Sequence, residues 1–350
     1  MTGWLWAIFA VVAAGGQTLR NVMQKELITT LGTVGATHVR FLYGFPFALI
    51  FLAGILHYTG EPFPPLNPGM LAWALVGAST QILATAMLLT AMRDKSFVLI
   101  TALNKIEPVH VALFGLVFLG DRLTPALASA IGIATLGVVV MSWPRRTEAA
   151  PKPSAPMLAL ASGAPALTFD AARGQWRGTI VVEGRPMEFW LAPEAAADAA
   201  PESGVGWRPI LLGVVAGALF GASAVGYRGG ILALGAPNFM VGAAATLVTG
   251  LVMQVVALTL YLLVFDRATI VALLRAWRPS IVAGFMGAFA SLMWFLAFSL
   301  ESAAKIRTLA LIEIFFAGLV SKSLFKQSLA SREGLGILLI VAGVVILLNL

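Results

Sequence analysis

Glu107 and Glu313 interrupt two long apolar runs, in IEPVHVALFGLV and IEIFFAGLV. An ionised carboxylate at the centre of a bilayer costs at least about 2.5–3.5 kcal/mol, so each must face protein or a wet cavity and hold a partner. Such a group binds a proton or an amine, or it locks two helices together through a hydrogen bond. Asn104, Glu107 and His110 follow at spacing three and form one polar strip, with Lys105 on another side of the helix. In the second run, Glu301 and Lys305 are four apart in the favourable acid-before-base order. Glu313 lies on much the same side, and Arg307 on a different face. Lys305 and Arg307 either anchor the chain at an interface or recognise an anionic or zwitterionic solute. Gln17, Arg20, Asn21 and Gln24 recur at spacings of three and four, a polar face that lines a cavity or snorkels to an interface. Ser223, Tyr227 and Arg228 occupy a comparable place later in the chain.

The familiar signatures of enzyme chemistry are missing from the sequence. Cysteine is absent, which removes disulfides and thiolate metal sites, and the three histidines are scattered at His38, His57 and His110. No HExxH, GxSxG or Walker-type loop is present. Catalytic residues, metal ligands and cofactors are therefore all expected to be none. A net charge of +7 does not imply nucleic acid here, because a chain rich in apolar spans uses its basic residues for orientation.

The elements that must position these groups are membrane helices. With 59% hydrophobic and 11% charged residues the chain cannot coat a water-soluble globule of 350 residues. Stretches of about 18 or more apolar residues number about ten. They lie near 3–22, 35–57, 68–91, 96–119, 124–143, 209–232, 237–264, 279–299, 302–325 and 331–350. Lipid leaves backbone groups no outside partner, so continuous spans of this length must be helices. Arg20 and Lys25 follow the first span and nothing basic precedes it, which fits a retained helix. The segment 144–208 differs: Pro- and Ala-rich linkers flank two β-prone runs, Thr179 to Val182 and Met187 to Leu191, expected to pair as a hairpin around Glu183-Gly184-Arg185-Pro186.

A shift of 206 positions overlays residues 91–141 on 297–347 without a gap, and it pairs Ile106-Glu107 with Ile312-Glu313. Matched mid-span glutamates are hard to obtain by accident. Two blocks of five helices follow, and an odd number per block makes them inverted repeats. The expected fold is an all-α integral membrane protein of ten helices, with repeats at 1–143 and 209–350 and the 144–208 insertion between them.

Glu107-Pro108, the later Gly120-Asp121-Arg122-Leu123 and the closing GVVILL, on this framework, resemble the EamA-like members of the drug/metabolite transporter superfamily. The second repeat keeps Glu313, but Ile314 answers Pro108 and Gln327 answers Asp121. The resemblance implies a central cavity bounded by the first, third, fourth, sixth, eighth and ninth helices. Gln81, Thr85, Ser291 and Trp294 are its candidates from the third and eighth, Thr85 and Ser291 being equivalent under the shift. Arg40 is expected to be an anchor or the partner of an internal acid. The overlapping GxxxG spacings of Gly213, Gly217 and Gly221 are expected to serve packing.

The leading expectation is a secondary carrier for a small metabolite or drug-like solute in the inner membrane, working by alternating access, outward, with coupling through protonation of Glu107 or Glu313. The partners are the solute and the lipid bilayer, with no nucleic acid, in a monomer or homodimer. A lipid-carrier enzyme and a non-transporting interaction protein are the alternatives. Basic residues concentrate in loops after odd-numbered helices, which places those loops in the cytoplasm and both termini outside. The family resemblance implies termini in the cytoplasm.

Overall fold

Apolar segments in this chain become helices, and caps and glycines decide where each stops. The computed structural model describes residues 4–93, 106–142, 168–170, 175–182, 185–191, 207–313 and 331–350. Helix α1 (Leu5–Leu42) bends at Gly32, whose φ of 65° is open to glycine without strain. Helix α2 (Phe45–Thr59) begins after Tyr43-Gly44 and ends on left-handed Gly60, whose N–H reaches the Leu56 carbonyl. The expected boundary between spans near 22 and 35 is therefore replaced by one long bent helix and a break at Tyr43-Gly44. Asn67 caps α3 (Pro68–Arg93) by accepting from the Met70 N–H, and its amide donates to the Ala233 carbonyl.

Helix α4 (Glu107–Phe114) has proline in its first turn and passes into a π-turn at Gly115–Leu119, closed by left-handed Gly120. Helix α5 (Pro125–Ser142) follows. Beyond residue 206 come α6 (Trp207–Leu234), α7 (Phe239–Phe265), the short α8 (Arg267–Arg275) and α9 (Trp277–Leu300). Then come α10 (Ala303–Leu309), a 3₁₀ turn at Ala310–Ile312 and α11 (Ser331–Leu348). Helix α8 was not among the expected spans; it lies in a connection and starts at Asp266. The Thr269 hydroxyl and N–H both donate to the Asp266 carboxylate and hold its pKa below the usual range.

Among the described residues, five helices are long and apolar enough to cross a membrane: Thr30–Thr59, Pro68–Leu88, Leu211–Leu234, Phe239–Phe265 and Trp277–Leu300. Shorter apolar helices cover Glu107–Leu119, Pro125–Val140 and Gly334–Leu348. Their outward faces carry exposed Ile50, Leu75, Val117, Val264 and Leu338, as lipid requires. The interior is rich in buried alanine, and the tight contacts are made by glycine, since close packing rather than water exclusion holds helices together in a membrane.

The helix pairs follow a pattern. Helix α1 packs on α9, α3 on α6, α5 on α11, α2 on α7 and α4 on α10. A Cβ on Gly226 would meet the Gly77 nitrogen at 2.7 Å, so α6 and α3 touch backbone to backbone. Gly137 and Gly343, equivalent under the 206 shift, do the same for α5 and α11. The bounds of these two helices also differ by that shift at both ends.

Residues 144–206 form a separate compact unit. Its described part is an antiparallel sheet in the order β1 (Thr168–Asp170), β2 (Gln175–Val182), β3 (Arg185–Leu191). Arg185 and Pro186, expected in the turn, are strand residues opposite Val182 and Val181. Strand β3 is an edge, where proline is tolerated. Arg177 pairs with Glu188 across β2 and β3.

Replacing Gly226 by valine is expected to force α6 from α3 and lower stability by about 1–3 kcal/mol or more, as overpacking does. Gly132→Ala, which meets nothing within 4 Å, should be neutral or slightly stabilising. Thermal unfolding of the two variants in detergent would check both.

Candidate functional site

Both glutamates reach one internal cavity of about 80 Å³, bounded by α1, α3, α4, α6, α9, α10 and the 3₁₀ turn. Glu107 is placed by the helix start at Glu107-Pro108, where proline's missing N–H is no loss. Its Oε1 lies 2.8 Å from Arg307 Nε on α10, both side chains about one-tenth exposed, though the pair sits off the line of a hydrogen bond. The Arg307 guanidinium also covers the Trp294 ring at 4.7 Å from its centre. The Trp294 indole N–H donates to Gln17 Oε1 at 3.2 Å, and the Gln17 amide donates to Glu313 Oε2 at 2.8 Å. A single polar chain, Glu107–Arg307–Trp294–Gln17–Glu313, thus joins residues from both halves of the sequence.

A second group borders the same space. Tyr227 is wedged between Gly77 and Gly250, where any Cβ would meet its ring within about 3 Å. Its hydroxyl donates to Gln81 Oε1 at 3.4 Å, which also accepts from Gln254 at 2.7 Å. Its ring packs on Phe295, 4.6 Å between centres. Ser223 donates to the Gly77 carbonyl and so fixes α6 against α3 beside the cavity. Arg20 and Arg40, each 5% exposed, line the wall beside Asn21, and Arg20 donates to Asn21 Oδ1 at 2.8 Å.

The structure brings Gln17, Arg20, Gln81, Glu107, Tyr227, Ser291, Trp294 and Glu313 to this cavity. Thr85, Lys305 and His110 are not among its lining residues. The Thr85 hydroxyl returns to the Gln81 carbonyl one turn back. His110 packs against Gly221, whose missing side chain leaves room for it. Lys305 turns to Glu301 at 3.2 Å. Asn104 lies outside the described residues. Arg307, expected to anchor the chain or to recognise an anionic or zwitterionic solute, and Arg40, expected to be an anchor or the partner of an internal acid, both line the cavity. The signal available for Arg307 was its cationic charge within a span that also held a glutamate.

A second ionic group lies apart from that wall. Arg228 donates to the Phe298 carbonyl at 2.7 Å and to the Glu301 carbonyl, and it lies 3.7 Å from Asp121. It thereby covers the last carbonyls of α9, the helix that carries Ser291 and Trp294. Among the described residues no group of histidine and acidic side chains could hold a metal ion.

Comparison with known proteins gives three findings. The EamA-like transporter family model matches residues 1–143, as the sequence resemblance led one to expect there. A solved crystal structure of a protein aligns with 99% of this chain and 95% of its own, with a TM-score of 0.60 and 12% identity, which shows a shared fold. No curated protein matches. The family match supports a transporter role in a multi-pass membrane setting.

Glu107→Gln leaves Arg307 buried without a carboxylate, and Arg307→Gln leaves Glu107 without its cation. Each is expected to lower stability by about 3 kcal/mol or more, whereas the double variant should lose less than the two losses added. Thermal unfolding of the three variants measures this coupling, and additive losses would show that the pair does not act as one.

Proposed function

From a first block that matches a transporter family, we propose that this chain is a secondary carrier moving a small solute by alternating access. The observation that carries the reading is the polar cavity itself. It is walled by helices from both halves of the sequence and holds an ion pair, Glu107–Arg307, whose members come one from each half. Buried charge of this kind inside an apolar bundle marks a solute or proton path.

The proposed architecture is ten helices in two inverted five-helix repeats. The exchange-symmetric helix pairs and the coincident bounds of α5 and α11 support it. Two such repeats can swap conformations and open one chamber to alternate sides. The described backbone at both glutamates offers places for joints: Glu107 is the first residue of α4, and Glu313 follows a 3₁₀ turn. Export across the inner membrane, coupled through protonation of Glu107 or Glu313, is the direction and coupling this reading assigns. The protein acts as a monomer or homodimer in the lipid bilayer, with a small-molecule solute as its partner.

The absence of native cysteine makes the test clean. Ser291→Cys in proteoliposomes should react with a membrane-impermeant maleimide added from either face. Reaction from one face alone would refute alternating access. Glu313→Gln should abolish uptake or efflux driven by a pH gradient while leaving solute exchange, and unchanged gradient-driven flux would remove Glu313 from the coupling role.

A further inference from the structure

Charge around the cavity does not balance. Three guanidiniums, Arg20, Arg40 and Arg307, share its wall with two carboxylates, Glu107 and Glu313. Arg307 is matched by Glu107 at 2.8 Å. Among the described residues, no carboxylate lies within ion-pair distance of Arg20 or Arg40. Arg20, among the described residues, bonds its neighbour Asn21 alone, and its Nε is buried without a partner. The Arg40 guanidinium lies over the face of Phe41, at 5.0 Å from its centre, and among the described residues meets no carboxylate. Their stems run side by side: a Cβ built on Gly287 would meet Arg20 Cδ at 3.6 Å and Arg40 Cγ at 3.7 Å. Among the other described cations, the half-buried Arg228 faces Asp121 at 3.7 Å and donates to two carbonyls, and Lys305 faces Glu301 at 3.2 Å.

Building on the carrier reading, we infer that the solute is a small organic monoanion whose charged head docks between Arg20 and Arg40. Two like charges held together in a poorly solvated site are unfavourable until an anion joins them, and the guanidinium fork matches a carboxylate or sulfonate geometrically. Among the described residues the wall carries one positive charge in excess, which calls for a single negative one; a phosphate dianion would overshoot it. The rest of the wall, with Phe220, Phe295 and Phe298, suits an apolar body. At about 80 Å³ the cavity holds water and a small head group, and it must widen to take a whole metabolite.

The test uses the purified full-length chain in detergent, with benzoate, its uncharged isostere benzamide, and inorganic phosphate as probes, titrated by calorimetry. Benzoate should bind. Benzamide, and benzoate on Arg20→Gln or Arg40→Gln, should bind about thirtyfold more weakly or worse, the loss expected when a buried charge loses its partner. Arg20→Lys and Arg40→Lys keep the charge and should retain part of the affinity, which decides the matter where a glutamine variant fails to fold. Absence of benzoate binding, equal binding of benzamide, preference for phosphate, or indifference to these arginines would each overturn the assignment. Flux of benzenesulfonate, which cannot leak as a neutral acid, separates this inference from the carrier reading. Arginine-dependent binding without flux refutes transport and leaves the anion site standing. Equal protein-dependent flux of benzenesulfonamide, measured above the leak of protein-free liposomes, refutes the anion site and leaves transport standing.

Discussion

The arrangement turns on the contact between Glu107 and Arg307, 2.8 Å apart inside a bundle whose outer faces are apolar. Neither charge is tolerable alone in that surrounding, because the cost of removing an ion from water amounts to several kcal/mol even after relaxation. The pair therefore fixes the register of α4 against α10, elements about two hundred residues apart in the chain. Arg307 also lies over Trp294, and Trp294 reaches Glu313 through Gln17, so the same contact orients the acid of the other half.

Everything around that chain is built to let backbones approach. Gly77 and Gly226 bring α3 and α6 into contact, Gly137 and Gly343 do so for α5 and α11, and Gly16 faces Ala290 between α1 and α9. In lipid such contacts supply the attraction that water exclusion supplies in soluble proteins. Small residues also permit sliding, since no interlocked side chain has to be withdrawn when two helices shift. Tyr227, which does interlock with Gly77 and Gly250, borders the cavity. Rigid helix pairs around a polar centre are the physical form that a two-state device of this kind requires.

Much of this was legible in the sequence. Mid-span glutamates, the polar face of Gln17 and Arg20, and the candidates Gln81, Ser291 and Trp294 all come to one cavity. The misplaced residues share one cause. A uniform 3.6-residue period was applied where the backbone departs from it. Helix α10 is short and gives way to a 3₁₀ turn before Glu313, so Lys305 and Glu313 need not share a face, and Arg307 is the one that turns inward. A span beginning near residue 35 puts Arg40 in its early turns, as an anchor or the partner of an internal acid. In the structure α1 runs unbroken from Gly32 to Leu42, which carries Arg40 into the bundle. Thr85 illustrates a different limit, for a hydroxyl that bonds back to its own helix is silent about the cavity beside it. Side-chain pairing between distant helices, such as Arg228 with the end of α9, leaves no periodic trace at all.

The two ionic groups differ in how their charges are met. Arg228 faces Asp121 at 3.7 Å and donates to the terminal carbonyls of α9, so its charge goes to holding that helix. Gly115 makes room for Asp121, since a Cβ there would meet its carboxylate at 2.8 Å, and the Asp121 N–H closes the π-turn on the Gly115 carbonyl. Arg20 and Arg40 have no such matching among the described residues. A buried charge that stabilises nothing within the protein is retained at a cost, and that cost is recovered only when something else enters to meet it. Structural cations in this bundle are the matched ones; the unmatched pair faces the space where a solute would sit.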